Sequence, residues 1–245
     1  MTEITKSHWI EFIIRSCVFV LTLVGYLVDI ISNIEIVKQI SHWVIGIYFT
    51  YQMVFRLIPN KKHSMGNQKV FGRNYIQIEN IKEGIKGYKK TPDRYSLHYR
   101  KQGNRVALAV GIVWLLLNGL IFSLYFTNII DRDLLMVIAM AFSVCDLICV
   151  LFICPFQLLF MRNKCCTTCR IYNWDFAMMF TPLWVAPGLL NYYLVGLSLI
   201  VFFHWEINHH KHPERFYEET NYNLRCSECK ELMCKNRLRK VNEYK

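Results

Sequence analysis

The sequence predicts an all-α integral membrane protein with four to five transmembrane helices and a bent or re-entrant last segment. An amphipathic interfacial helix is expected in a basic cytoplasmic loop, and a small Cys-rich tail closes the chain. Three observations carry this. Of the 245 residues, 53% are hydrophobic, and they gather in long blocks. Five blocks, 9–31, 36–58, 106–126, 134–160 and 176–203, are long enough to cross a membrane; a hydrocarbon layer of about 30 Å takes roughly 18 apolar residues at about 1.5 Å each. Between them lie short turns or basic segments, and no block carries the polar face that a soluble bundle needs.

Residues 1–58 read as a transmembrane hairpin that turns near Asn33. Glu11 and Arg15 interrupt the apolar core that a cleavable leader requires, so the first span is expected to be retained. Lying four residues apart, they are expected to face and partly neutralise each other on a helix.

Residues 59–105 form the basic loop, where twelve lysines and arginines stand against Glu79, Glu83 and Asp93. That excess places the loop and the N-terminus in the cytoplasm, with the plasma membrane as the expected location. Beside two spans, the partner implied by the charge is a bilayer with anionic headgroups, with room for a protein partner; nucleic acid is not expected. Ile78, Ile81 and Ile85 recur at helical spacing with Lys82, Lys86 and Lys89 on other faces, which predicts a short interfacial helix ending at Thr91–Pro92.

Residues 106–203 hold the remaining spans, with a Cys-containing loop at 161–175 whose Arg162, Lys164 and Arg170 predict the cytoplasmic side. The last block contains Pro182 and Ala186–Pro187–Gly188, a strong place for a helix to break. Either it spans once and the tail is outside, or it folds back and the tail returns inside. Asp175 is placed to cap its N-terminus. Asp146, inside the fourth block, is a deep carboxylate with Asp29 as its nearest acidic companion in pattern; it marks a proton or cation site or a hydrogen-bonded helix contact. Trp9, Trp174 and Trp205 sit at block ends, as interfacial aromatics do.

Of ten cysteines, Cys17, Cys145, Cys149 and Cys154 fall within spans and read as small apolar packing residues. The other six form two groups: Cys165, Cys166 and Cys169 in the loop, and Cys226, Cys229 and Cys234 in the 204–245 tail. Each group contains a C-x-x-C. Such a pair on a tight turn converges on one metal at about 2.3 Å, and a second pair completes a tetrahedron. The flanking Lys164, Arg170, Arg225 and Lys230 are expected to favour thiolate.

The expected cofactor is zinc in a structural site, with iron as the alternative. The expected role is a non-enzymatic membrane or partner-binding one. A membrane redox protein using the same cysteines with iron or as dithiols stands beside it, and a small ion or proton transporter around Asp146 is third. His204, Glu206, His209, His210 and His212 form a run that reads as a solvated interfacial cluster or a source of a supplementary zinc ligand. Phosphate-loop, dinucleotide, nucleophile-elbow and H-E-x-x-H patterns are absent from the sequence.

Overall fold

The computed structural model describes residues 2–32, 35–78, 92–161, 165–229 and 231, with the backbone alone over 92–102. The described residues are helical, without a strand. In chain order the helices are α1 (Glu3–Ser32), α2 (Ile36–Leu57), α3 (Met65–Gln68), α4 (Pro92–Phe126), α5 (Arg132–Leu151), α6 (Asp175–Met179) and α7 (Leu189–Lys211), with short 3-10 turns between several of them.

Among the described residues, four helices are long and apolar enough to cross a membrane: α1, the Gly103–Phe126 part of α4, α5 and α7. The second block does form a helix of 22 residues, α2. It is less apolar than those four, because Lys38, Gln39, His42, Gln52 and Arg56 punctuate it. α1 packs on both α5 and α2, and α2 packs on α7. Their shared core includes Val18, Ile45, Phe49, Met53, Leu135, Met140, Phe176, Phe180 and Leu194. Large apolar side chains such as Ile13, Trp43, Leu116, Leu159 and Leu189 stay exposed on the outside. That arrangement suits a lipid solvent.

Two blocks differ from the expected spans. The fourth is not one helix from 134 to 160: α5 stops at Leu151, and Phe152 leaves the helical region at φ −116°, ψ −83°. Pro155 follows, without an N–H to continue the ladder, and a π-helical turn covers Gln157–Met161. The N-terminus of α5 starts cleanly, with the Asp131 carboxylate accepting from the Leu134 N–H at 2.9 Å.

The fifth block is broken where its Pro and Gly residues fall. α6 passes into a 3-10 turn over Thr181–Val185 with Pro182 in its first turn. The chain then reverses at Ala186–Pro187–Gly188, Gly188 taking φ +156°, a region open in practice to glycine. α7 starts beside the middle of α2, where Leu190 packs against Gly46 and the Thr50 hydroxyl donates to the Tyr193 hydroxyl at 3.1 Å. It ends beside the segment that follows α2, since Trp205 packs with Val70 and Phe216.

The tail returns to that same end of the bundle. Ile78 N–H donates to the Thr220 carbonyl at 3.2 Å, and Tyr222 N–H to the Ile76 carbonyl at 3.0 Å. Further on, the Glu231 carbonyl accepts from the Thr5 hydroxyl at 2.9 Å, and its carboxylate accepts from the Met65 N–H. Of the expected interfacial helix only Ile78 is described; 79–91 lie outside the described residues.

Candidate functional site

The loop cysteines lie in this crowded end layer. Cys165, Cys166 and Cys169 are all buried. Cys166–Thr168 form a 3-10 turn, and the Cys169 N–H donates to the Cys166 carbonyl at 3.0 Å. Cys226–Glu228 make the same turn in the tail, with the Cys229 N–H donating to the Cys226 carbonyl at 3.3 Å. The closing cysteines match in backbone as well: Cys169 sits at φ −68°, ψ 131° and Cys229 at φ −68°, ψ 116°. This is the tight turn that a C-x-x-C pair needs to aim two sulfurs at one point.

Two elements position the loop group, α3 and the π-helical turn. Ser64 caps α3 by accepting from the Asn67 N–H at 3.3 Å and shares a 2.8 Å hydrogen bond with the Tyr172 hydroxyl. Gly66 lets α3 lie directly on that tyrosine, since a Cβ there would come within 2.7 Å of the ring. Gln157, from the π-helical turn, accepts from the Cys166 thiol at 4.0 Å.

Of the four flanking cations expected to favour thiolate, Arg170 and Arg225 are described, and both have partners of their own. Arg170 is taken by Glu206 in a two-pronged pair at 2.6 Å and 2.6 Å, and Arg225 turns to the Glu218 carbonyl at 3.5 Å. Lys164 and Lys230 lie outside the described residues. Among the described residues Lys69 faces Cys165, Cys166 and Cys169. It is 2% exposed, with its ammonium 5.5 Å from the Trp205 ring and 5.8 Å from the Phe216 ring. Among the described residues it has no carboxylate within salt-bridge distance. Burial pushes its pKa down to about 8, and the nearby cysteines oppose that shift. Glu231 faces Cys165 and Lys69 from the tail, and burial pushes its carboxyl up to about 7.

Among the described residues no group of three or more His, Cys, Asp or Glu side chains is placed to hold a metal ion. The expected zinc or iron therefore has no assembled site there. Cys226 is exposed and Cys229 half-buried, while Cys234, the sixth expected ligand, lies outside the described residues. The histidine run supplies no ligand cluster either. It occupies the last turns of α7 and the residue after it, where His209 is buried against Phe216 and shares a 3.2 Å hydrogen bond with the Tyr217 hydroxyl. His212 pairs with Glu214 at 3.3 Å. Trp174 and Trp205 are likewise packing residues, Trp174 donating to Glu206 at 2.7 Å and Trp205 to the Arg170 carbonyl at 3.3 Å.

Several charges in the bundle pair with partners that differ from the local ones. Arg15 pairs with Asp146 at 3.0 Å rather than with Glu11. Asp175 caps nothing: it pairs with Arg56 at 2.6 Å. The Phe176 ring lies between the two guanidinium groups, 5.8 Å from Arg15 and 4.5 Å from Arg56. Asp29 is no companion of Asp146. At the other end of α1 it holds Lys38 at 2.7 Å, together with Asp133 at 3.2 Å.

Between this charged layer and the loop cysteines lies a cavity of about 300 Å³, walled by Trp114, Phe142, Phe156 and Tyr172 and reached by Asp146, Gln157, Cys149, Cys154, Cys166 and Cys169. Compared with known protein families, curated proteins and solved structures, the chain gives no match.

Proposed function

We propose that the chain is a polytopic integral membrane protein, with the N-terminus and the basic loop on the cytoplasmic side of the plasma membrane, whose tail is clasped to that side by a zinc–thiolate site. The loop pair Cys166–Cys169 and the tail pair Cys226–Cys229 supply the four ligands, with Cys165 and Cys234 beside them. The role is non-enzymatic: the clasp holds the basic end layer in one shape, presented to anionic headgroups or to a protein partner.

Buried Lys69 is the observation that carries this reading. A buried ammonium without a carboxylate is costly, and a centre of several thiolates on one divalent ion is net negative. Among the described residues Lys69 has no carboxylate within salt-bridge distance, and such a centre next to Cys165, Cys166 and Cys169 adds a counter-charge to the more distant Glu231. The matching turns of the two C-x-x-C pairs support it. So does Glu231, which brings the tail against Cys165. On this reading the fifth block folds back at Pro187–Gly188, and the tail lies on the N-terminal side.

The test is the metal content of the purified full-length chain. About one zinc per chain is expected, lost in Cys166→Ser and Cys169→Ser. Metal-free protein with all its thiols open to alkylation would overturn the reading, and an iron chromophore would replace zinc with the alternative metal. In intact cells the tail thiols should stay unlabelled by an impermeant reagent after chelation. Labelling there would exclude a shared site.

A further inference from the structure

A second thiol pair, taken from the sequence as packing residues, borders the cavity. Cys149 and Cys154 hydrogen-bond each other through their side chains. Their spacing of five residues would put them roughly 140° apart on a continuous helix, since each residue turns about 100°. What joins them is the end of α5: the chain leaves the helix at Phe152 and brings Cys154 back against Cys149. The Gln157 N–H, donating to the Cys154 sulfur at 3.4 Å, fixes it there.

Both cysteines line the cavity of about 300 Å³. Trp114, Phe142 and Phe156 give it flat aromatic walls, and Asp146 and Gln157 supply polar groups at its edge. Trp114 and Phe142 of its wall belong to α4 and α5, two helices apolar enough to cross a membrane, which favours a lipid-soluble ligand. A flat ring suits such a space, and the Gln157 side-chain amide is a group that can donate to a ring carbonyl.

We infer that Cys149 and Cys154 are a redox dithiol that closes to a disulfide by reducing a lipid-soluble quinone bound in this cavity. Two S–H bonds break and one S–S bond forms. The two electrons and two protons pass to the quinone carbonyl oxygens, giving the quinol. An added dithiol reductant reopens the disulfide by thiol–disulfide exchange. The inference goes beyond the zinc reading and uses different cysteines, so either can fail alone.

The experiment uses the full-length chain, reduced and held in lipid nanodiscs under anaerobic conditions. The probe is a short-tailed, fully substituted benzoquinone, which thiols reduce without adding to the ring. The expected yield is about one quinol per chain, the two-electron capacity of one dithiol. Peptide mapping of the wild type should find the Cys149–Cys154 disulfide, a readout that needs no variant. Cys149→Ser and Cys154→Ser should each abolish the yield, while Cys17→Ser leaves it unchanged. An unreduced quinone overturns the inference. So does a quinol yield that survives both serine variants, or a map that places the disulfide elsewhere.

Discussion

Arg15, with no solvent exposure, donates to Asp146 at 3.0 Å and to the Ser143 carbonyl at 3.2 Å, tying α1 to α5. The guanidinium also lies 5.8 Å from the Phe49 ring. A buried pair of this kind is worth little relative to a well-packed apolar replacement, but removing one partner leaves an uncompensated charge.

Arg15→Met and Asp146→Asn are therefore each expected to lower stability by about 3–5 kcal/mol, read as thermal unfolding in detergent. The double variant Arg15→Met with Asp146→Leu should recover most of that loss. Additive losses in the double variant would mean that the two residues act separately.

Lys69 gives a prediction that separates charge from packing. Groups just outside a metal's ligands typically alter its affinity by about 10–100-fold when removed. Lys69→Met keeps the length and apolar body of the side chain over Trp205 and Phe216 and deletes the charge. Zinc affinity, measured by chelator competition, is expected to fall by about that factor. Unchanged affinity would make Lys69 a packing residue and leave the thiolate reading without its main support.

The parts of this structure legible in the sequence are those set by local chemistry. Apolar run length revealed four helices able to cross a membrane, though not where α5 ends or α7 begins, and Ala186–Pro187–Gly188 marked the break before α7. Pairing across the chain was not legible. Arg15 has an acid four residues away, yet its partner is 131 residues distant, because helix packing rather than helical spacing decides which charges meet in the core. Lys69 looked like one of twelve basic residues of the loop, yet it is buried, with Trp205 and Phe216 from α7 and the tail beside its ammonium. The Cys149–Cys154 contact was hidden for a related reason: the pair exists only because α5 stops at Leu151. Pro155 was the available sign of that stop.

Gly188 makes the reversal before α7 testable. At φ +156°, a Cβ would sit 3.3 Å from the Asn191 amide nitrogen, which itself donates to the Ala186 carbonyl at 3.3 Å. Gly188→Ala is expected to cost about 1–3 kcal/mol through backbone strain. Pro187→Ala, which only relaxes the preceding φ, should cost less. A Gly188→Ala protein melting with the wild type would show that the backbone there can take another conformation at no penalty.

Glu231 sets a pH dependence whose sign follows from its raised carboxyl, at about 7 against an ordinary 4.5. Between those values the folded protein holds a proton that the unfolded chain has lost, so this residue makes stability fall as pH rises. Two and a half pKa units correspond to about 3 kcal/mol. Lys69 is protonated in both states over this range and adds no slope. His63, pushed down to about 4 by burial, adds a slope of the opposite sign below its ordinary 6.5. The informative quantity is therefore the difference between wild type and Glu231→Gln, which keeps an acceptor for the Met65 N–H. That variant should gain about 3 kcal/mol relative to wild type from pH 4.5 to 7 and then level off. A difference that stays flat across this window would place the Glu231 carboxylate in contact with solvent rather than sealed against Cys165.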